Sequence, residues 1–123
     1  MSRSPLNPDG TGSVAVPEIT PEAAVEMIAL GALLLDVREQ DEWETLHAAA
    51  ARHIPMGEVS AQAETLPTDR PIICVCHLGG RSAAVATALR DRGFDTRNLT
   101  GGMTAWLAAG LPAVDGQGRP VNP

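Results

Sequence analysis

The amino-acid sequence predicts an α/β fold in which helices cover both faces of a parallel sheet. Strand patterns alternate with helix patterns along the chain, as in successive β–α units. Two strand patterns, residues 33–37 and 71–76, are almost continuously apolar, which is typical of strands covered on both faces. The length of 123 residues is that of one domain around one core. In such a sheet the ligand site lies beyond the carboxyl ends of the strands.

The other elements follow from local signals. Thr20 is suited to cap the first helix and Pro21 to occupy its first turn, and Gly31 supplies the stop. A helix over residues 81–92 ends on two arginines and a glycine, which suit a helix C-terminus. The remaining predicted elements are a short strand over 14–19, a helix over 39–47, a short strand over 52–55, helical turns over 58–66, a strand over 94–99 and a helix over 103–109.

The two ends of the chain have the composition of tails. Residues 1–13 are rich in Ser, Pro, Asn, Asp and Gly, and we expect them to be disordered. Residues 115–123 are rich in Gly and Pro, and we expect a flexible C-terminal tail there. Residues 14–114 then form the single domain.

The charge pattern excludes several classes of function. The net charge of −6 argues against a nucleic-acid or anionic-membrane partner, because both require a basic face. All nine basic residues are arginine, and the absence of lysine excludes Schiff-base chemistry and phosphate loops that depend on a lysine.

Cysteine usage and hydropathy bear on the compartment. The first residues lack the apolar run of a secretory signal, and no stretch approaches membrane-spanning length. A disulfide between Cys74 and Cys76, one residue apart, would be badly strained. Free thiols are typical of a reducing compartment, so we expect a cytoplasmic protein.

A loop after the predicted strand over 71–76 combines a thiol with an anion site. Its glycines let successive main-chain N–H groups point into one concavity, and the following helix adds the positive end of its dipole. A thiol there is expected to have a lowered pKa and to react as a thiolate. The alternative is a buried cysteine that merely ends a strand. The loop residues are Cys76, His77, Leu78, Gly79, Gly80, Arg81 and Ser82.

Three motifs in the right order resemble the rhodanese family, from about residue 16 to residue 114. They are Leu35-Asp36-Val37-Arg38 with Glu42-Trp43, the loop Cys76-x-x-Gly79-x-Arg81-Ser82, and Gly93-Phe94 with Leu99-Thr100-Gly101-Gly102-Met103-x-Ala105-Trp106 and Gly110-Leu111-Pro112. The resemblance implies a single-domain rhodanese-like fold, a five-stranded parallel sheet flanked by helices on both faces. It also implies that Cys76 carries sulfur as a persulfide, held by the amides of residues 77–82.

The reaction implied by the resemblance is a two-step sulfur transfer without a cofactor. The thiolate attacks the outer sulfur of a donor such as thiosulfate, sulfite leaves, and cyanide or a thiol accepts the sulfur. The partners are then a small sulfur donor and acceptor, or a protein in either role. Four residues separate Cys76 from Arg81, one fewer than in related phosphatases, which favours sulfur over phosphate.

The chain departs from the family pattern in two places. Residues 46–51, Leu-His-Ala-Ala-Ala-Ala, replace a Gly-His-x-Pro-Gly-Ala turn, and the alanines favour an extension of the preceding helix. The loop also has few positive charges, only Arg81 and, when protonated, His77. The sulfur donor therefore stays open.

Several polar and aromatic residues outside the loop need an interpretation. Asp36 and Arg38 end the second strand, and Asp36 is expected to pair with Arg81 or Arg38, either to fix the loop or simply to hold the strand end. Trp43 and Trp106 are interpreted as core anchors, and Cys74 as a core residue. No metal site is expected, because His47, His53, His77 and the two cysteines fit no compact zinc pattern.

The sequence leaves three functions open. The leading hypothesis is an enzyme that turns over thiosulfate and cyanide through the Cys76 persulfide. A second is a carrier that receives persulfide from a partner and passes it on. A third, phosphate or arsenate ester chemistry, is disfavoured by the loop length.

Overall fold

The computed structural model describes residues 15–121 of the chain. Five parallel strands form the main sheet, in the order β1-β6-β5-β2-β4. Their bounds are β1 Glu18–Ile19, β2 Leu33–Asp36, β4 Arg52–His53, β5 Ile72–Val75 and β6 Thr96–Leu99. The expected five-stranded parallel sheet is confirmed. The tail expected over residues 1–13 lies outside the described residues.

Helices cover both faces of this sheet. They are α1 Pro21–Ala29, α2 Gln40–Thr45, α3 Val59–Gln62, α4 Gly80–Asp91 and α5 Gly102–Ala108, with single 3₁₀ turns at Met56–Glu58 and Ala63–Thr65. Thr20 caps α1 as predicted, because its Oγ1 accepts the Ala23 amide at 3.1 Å. Within residues 15–121, no helix is long and apolar enough to span a membrane.

Strand β5 organises the two cores. Every residue of β5 is buried, and successive side chains point to opposite faces. Ile72 and Cys74 join the core formed with α3 and α4, whereas Ile73 and Val75 join the core formed with α1 and α5. The apolar run that predicted a doubly covered strand is explained by this alternation.

The prediction that residues 46–51 extend the preceding helix is wrong. Helix α2 ends at Thr45, Leu46 is extended, and β3 (His47–Ala48) pairs antiparallel with β7 (Ala113–Val114). The backbone of this segment bonds to distant partners: the Leu46 carbonyl accepts from Arg38 at 2.7 Å, and the Ala49 amide donates to Pro112. These long-range bonds outweigh the helix propensity of the alanines.

The two tryptophans occupy different environments. Trp106 is a core residue, 2% exposed, and its Nε1 donates to the Pro112 carbonyl. Trp43 is only partly buried and lies outside both cores, where its ring stacks on His47 and His53 with centroid distances of 3.3 and 4.7 Å. The core-anchor interpretation holds for Trp106 and is wrong for Trp43.

Residues 115–121, part of the predicted flexible tail, form a turn against α2. The Asp115 carboxylate accepts the amides of Gln117 and Arg119, and the Gly116 amide donates to the Glu44 carbonyl at 2.8 Å. Flexibility of this segment stays a prediction.

A buried ion pair fixes the end of β2. The Asp36 carboxylate accepts from Nε and Nη2 of Arg38 and from the Arg38 main-chain amide, at 2.8–3.1 Å. The two residues are 0% and 4% exposed. Because Arg38 also donates to the Leu46 carbonyl, the pair joins β2 to the segment after α2.

We expect Asp36→Ala to lower the free energy of unfolding by about 3–5 kcal/mol, because it leaves the Arg38 charge buried and unpaired. Urea unfolding measures the effect. Asp95→Ala is the control: it removes a half-exposed carboxylate that pairs with Arg97 and, at 3.7 Å, with Arg90, which is expected to cost about 1 kcal/mol or less. An equal decrease in the free energy of unfolding in the two variants would contradict the stabilising role of the buried Asp36–Arg38 pair.

Candidate active site

The sulfur of Cys76 sits at the carboxyl end of β5, where the loop into α4 begins. The residue is 1% exposed, and its Sγ accepts the Gly79 amide at 3.1 Å. The Ser82 hydroxyl oxygen lies 3.3 Å from the same sulfur. Gly79 has φ of +116° and directly precedes α4, so the chain turns sharply and aims its amides at Cys76. The loop is therefore an anion site that contains a nucleophile.

Two opposed effects set the pKa of the Cys76 thiol. Burial raises the pKa, because a charged sulfur loses solvation. Hydrogen bonds from the Ser82 hydroxyl and from main-chain amides of the loop outweigh burial, and the pKa lies below its ordinary value. These bonds favour the thiolate, the form that attacks sulfur.

Cys74 has the opposite environment. It lies inside β5, fully buried, and burial raises the pKa of its thiol to about 12. The interpretation of Cys74 as a packing residue agrees with this placement. The two cysteines are both free, although they are only one residue apart.

Helix α5 holds the loop from the other side. The Met103 amide donates to the Cys76 carbonyl at 2.7 Å, and the Thr104 amide donates to the His77 carbonyl at 3.2 Å. These bonds tie the carbonyls of Cys76 and His77 to the start of α5. The close approach requires Gly102, since a Cβ there would lie 2.4 Å from the Cys76 carbonyl oxygen. The motif that contains Gly102 lies more than 20 residues beyond Cys76, so no local sequence signal indicates this contact with the loop.

Arg81 is paired, and its partner is Glu42 rather than Asp36. Its two terminal nitrogens donate to the two carboxylate oxygens of Glu42 at 2.8 and 2.9 Å. The Arg81 guanidinium is the main cause that lowers the pKa of Glu42 to about 2, and the Glu42 carboxylate in turn raises the pKa of Arg81. The positive charge of the loop is thus matched by a fixed negative charge. Asp36 and Arg38 pair with each other, and neither is bonded to the loop.

The rest of the loop is open to solvent. His77, Leu78 and Gly80 are exposed, and Leu78 has 64% of its surface accessible. A cavity of about 380 Å³ adjoins the loop at His77. Its lining contains Arg38, Asp41, Glu42, Thr45, Leu46, His77 and Met103. Two carboxylates therefore face any molecule that approaches along this side.

Asn98 and Glu18 are site residues that sequence reasoning missed. Asn98 Oδ1 lies 2.6 Å from the Ser82 hydroxyl, and Asn98 Nδ2 donates to the Gly79 carbonyl at 3.0 Å and to the Glu18 carboxylate at 2.9 Å. Glu18 on β1 and Asn98 on β6 are register partners in the sheet. Their separation of 80 positions leaves no local signal for the contact.

Within residues 15–121, no group of three or more His, Cys, Asp or Glu side chains is arranged to hold a metal ion.

Comparison with known proteins points to one family. The family model described as rhodanese-like domain matches residues 20–109. The thiosulfate sulfurtransferase GlpE of Actinobacillus succinogenes is 35% identical over 111 residues, which cover 88% of this chain and 100% of that protein. The crystal structure of a rhodanese-related protein from Thermoplasma volcanium has a TM-score of 0.75 and 30% identity, covering 80% of this chain and 97% of that one.

A third relative has a different kind of name. It is YrkF of Bacillus subtilis, a protein named as a candidate sulfur carrier, and it is 37% identical over 95 residues. The match covers 75% of this chain and 51% of that protein.

We expect Gly102→Ala to destabilise the protein and to displace the loop, because the added Cβ meets the carbonyls of Cys76 and His77. Gly110→Ala is the matched control: its φ of +73° is similarly left-handed, but the Cβ meets nothing within 4 Å. The control is expected to lose about 1–2 kcal/mol from the backbone alone. Urea unfolding and the rate of Cys76 alkylation are the measurements. Equal effects of the two substitutions would contradict a packing role for Gly102.

Proposed function

We propose that this chain, which belongs to the rhodanese-like domain family, is a sulfurtransferase that carries sulfur as a persulfide on Cys76. The observation that supports this most strongly is the Gly79 amide directed at Cys76 Sγ at 3.1 Å, at the N-terminus of α4. Main-chain dipoles fixed in this way stabilise a negative sulfur without a neighbouring cation. A buried cysteine that only ends a strand does not require such an arrangement.

The reaction has two displacement steps. Cys76 first loses its proton to solvent, and the thiolate attacks the outer sulfur of the donor. A new S–S bond forms, the S–S bond of the donor breaks, and its electron pair leaves with the departing group, sulfite if the donor is thiosulfate. The outer sulfur of the persulfide carries the negative charge. An acceptor thiolate or cyanide then attacks that sulfur and releases the Cys76 thiolate.

Each of the proposed site residues has a role in this scheme. Residues 77–80 supply the curved backbone, from which the Leu78 and Gly79 amides act on the sulfur, and Ser82 supplies a hydroxyl beside it. Arg81 anchors the far end of the loop through Glu42. Asp36 and Arg38 support the site indirectly: their ion pair fixes the position of Arg38, which lines the adjacent cavity.

The engaged guanidinium of Arg81 also argues against phosphate chemistry. A phosphatase of this loop type needs its arginine to bind two phosphate oxygens. Here both terminal nitrogens of Arg81 are bound to the Glu42 carboxylate. Together with the short loop, this favours a single sulfur atom as the transferred group.

A persulfide carrier is the second candidate, and the exposed Leu78 favours it. This apolar side chain stands two positions from Cys76 with 64% of its surface accessible, as suits contact with a protein partner. A carrier takes up sulfur from a desulfurase and turns over thiosulfate and cyanide poorly. An enzyme shows the reverse.

Cys76→Ala is expected to abolish both thiocyanate formation from thiosulfate and cyanide and the mass increase of one sulfur atom after exposure to a donor. Cys74→Ala is the control, because that thiol is buried and un-ionised. It is expected to keep both activities. Sulfur loading that survives Cys76→Ala would refute the proposal.

Glu42→Gln is expected to raise kcat/KM for thiosulfate roughly five-fold, which corresponds to about 1 kcal/mol. The change frees the Arg81 charge for an anionic donor, while the glutamine oxygen can still accept the Glu39 amide. Glu44→Gln is the control, because it removes a charge from the same helix without touching Arg81. The gain must shrink at high salt. An equal gain in both variants would show that Arg81 has no specific role.

A further inference from the structure

The Ser82 hydroxyl stands between two acceptors but has one hydrogen to give. Its oxygen lies 2.6 Å from Asn98 Oδ1 and 3.3 Å from Cys76 Sγ. Ser82 is fully buried, so no water competes at its surface. The position of this hydrogen therefore depends on which neighbour needs it more.

The orientation of the Asn98 amide is set by its other contacts. Its Nδ2 faces the Glu18 carboxylate, at 2.9 and 3.2 Å, and the Gly79 carbonyl, at 3.0 Å. Both are pure acceptors, so the nitrogen and not the oxygen must point at them. Asn98 Oδ1 then faces Ser82 and can only accept. At 2.6 Å it is a strong acceptor, and the Glu18 charge polarises the amide further.

From this geometry we propose that Asn98 is a positioning residue: it holds the Ser82 hydrogen whenever Sγ is uncharged and gives it up only to a charged Sγ. When Cys76 is a thiol, Ser82 donates to Asn98 and offers a lone pair to the S–H group. When the thiol proton leaves to solvent, the hydroxyl rotates toward the sulfur and Asn98 Oδ1 loses its donor. Asn98 thus opposes the free thiolate.

The consequence for sulfur transfer, which rests on the proposed function, is a bias toward the loaded protein. In the persulfide the negative charge lies on the outer sulfur, and Sγ is uncharged. The Ser82 hydroxyl can then donate to Asn98 Oδ1 again, and the outer sulfur accepts hydrogen bonds from the amides of the loop. Asn98 disfavours the thiolate but not the persulfide, so it shifts the loading equilibrium toward persulfide.

Other charged or titratable groups surround this pair, and the test must hold their effects constant. They are Arg81 with its partner Glu42, the adjacent His77, Cys74 in β5, and Glu18, which also accepts from Thr100. Asn98→Ala keeps all of these side chains, but it also removes the donor to the Glu18 carboxylate and to the Gly79 carbonyl. The effect carried by the Ser82 hydroxyl is therefore isolated by comparing Asn98→Ala with and without Ser82.

The experiment titrates Cys76 by thiolate absorbance in a Cys74→Ala background. Asn98→Ala is expected to lower the pKa of Cys76 by about 0.5–1 unit, because Ser82 then donates to the sulfur without competition. In a Ser82→Ala background, the same substitution is expected to change the pKa little. An unchanged or raised pKa in the first case, or an equal fall in both backgrounds, would overturn the proposal.

Glu18→Gln provides a second variant in case the buried substitution unfolds the protein. Glu18 is exposed, and the weaker polarisation of Asn98 is expected to lower the pKa in the same direction by less. The loss of the Glu18 charge also acts directly on the pKa of Cys76, and this direct effect persists in the Ser82→Ala background. The test is therefore the difference between the pKa shifts that Glu18→Gln causes with and without Ser82. No difference would overturn the proposal.

A loading measurement separates this proposal from the proposed function. At a pH above the pKa of Cys76, where the unloaded protein is the thiolate, and at a fixed, limiting concentration of organic persulfide, Asn98→Ala is expected to lower the persulfide fraction seen by intact mass several-fold. A fraction at or above the wild-type value would overturn the loading bias. The thiol titration needs no sulfur donor. A wild-type protein that never gains sulfur would refute the proposed function, while the titration would still decide whether Asn98 controls Ser82.

Discussion

The contact between the Gly79 amide and the Cys76 sulfur is the constraint around which the rest of the site is built. It requires a backbone that turns sharply after β5, and the left-handed Gly79 provides that turn. The first two carbonyls of the loop are held by α5, which donates two amides to them. Gly102 permits this close approach. Two segments distant in sequence, the loop after β5 and the start of α5, thus cooperate to place a few N–H groups around one sulfur atom.

The charged side chains of the site serve structure more than they serve the sulfur. Asp36 and Arg38 neutralise each other in the core, and Arg81 is neutralised by Glu42. The sulfur is left with the partial charges of amides and one hydroxyl. Such dipoles are fixed by the fold and are weakly screened by salt, whereas a net charge at the loop would also attract unrelated anions. This arrangement suits a reaction in which the negative charge lies on Sγ in the thiolate and on the outer sulfur, one bond away, in the persulfide.

The sequence predicted the elements whose signals are local. The Thr20 cap, the apolar run of β5 and the glycine-containing loop each depend on neighbouring residues, and each was located correctly. Residues 46–51 were misjudged because their partners, β7 and Arg38, come from elsewhere in the chain. The partner of Arg81 and the Ser82–Asn98 contact were missed for the same reason. Motif spacing identifies which residues matter but not which of them touch.

The apparent pKa of the Cys76 thiol is the most direct test of this account. It can be measured in the Cys74→Ala variant by following thiolate absorbance with pH, first folded and then unfolded in urea. The account requires the folded value to lie below the unfolded one, because hydrogen bonds in the loop outweigh burial. A folded value equal to or above the unfolded one would mean that the amides do not stabilise a charged sulfur.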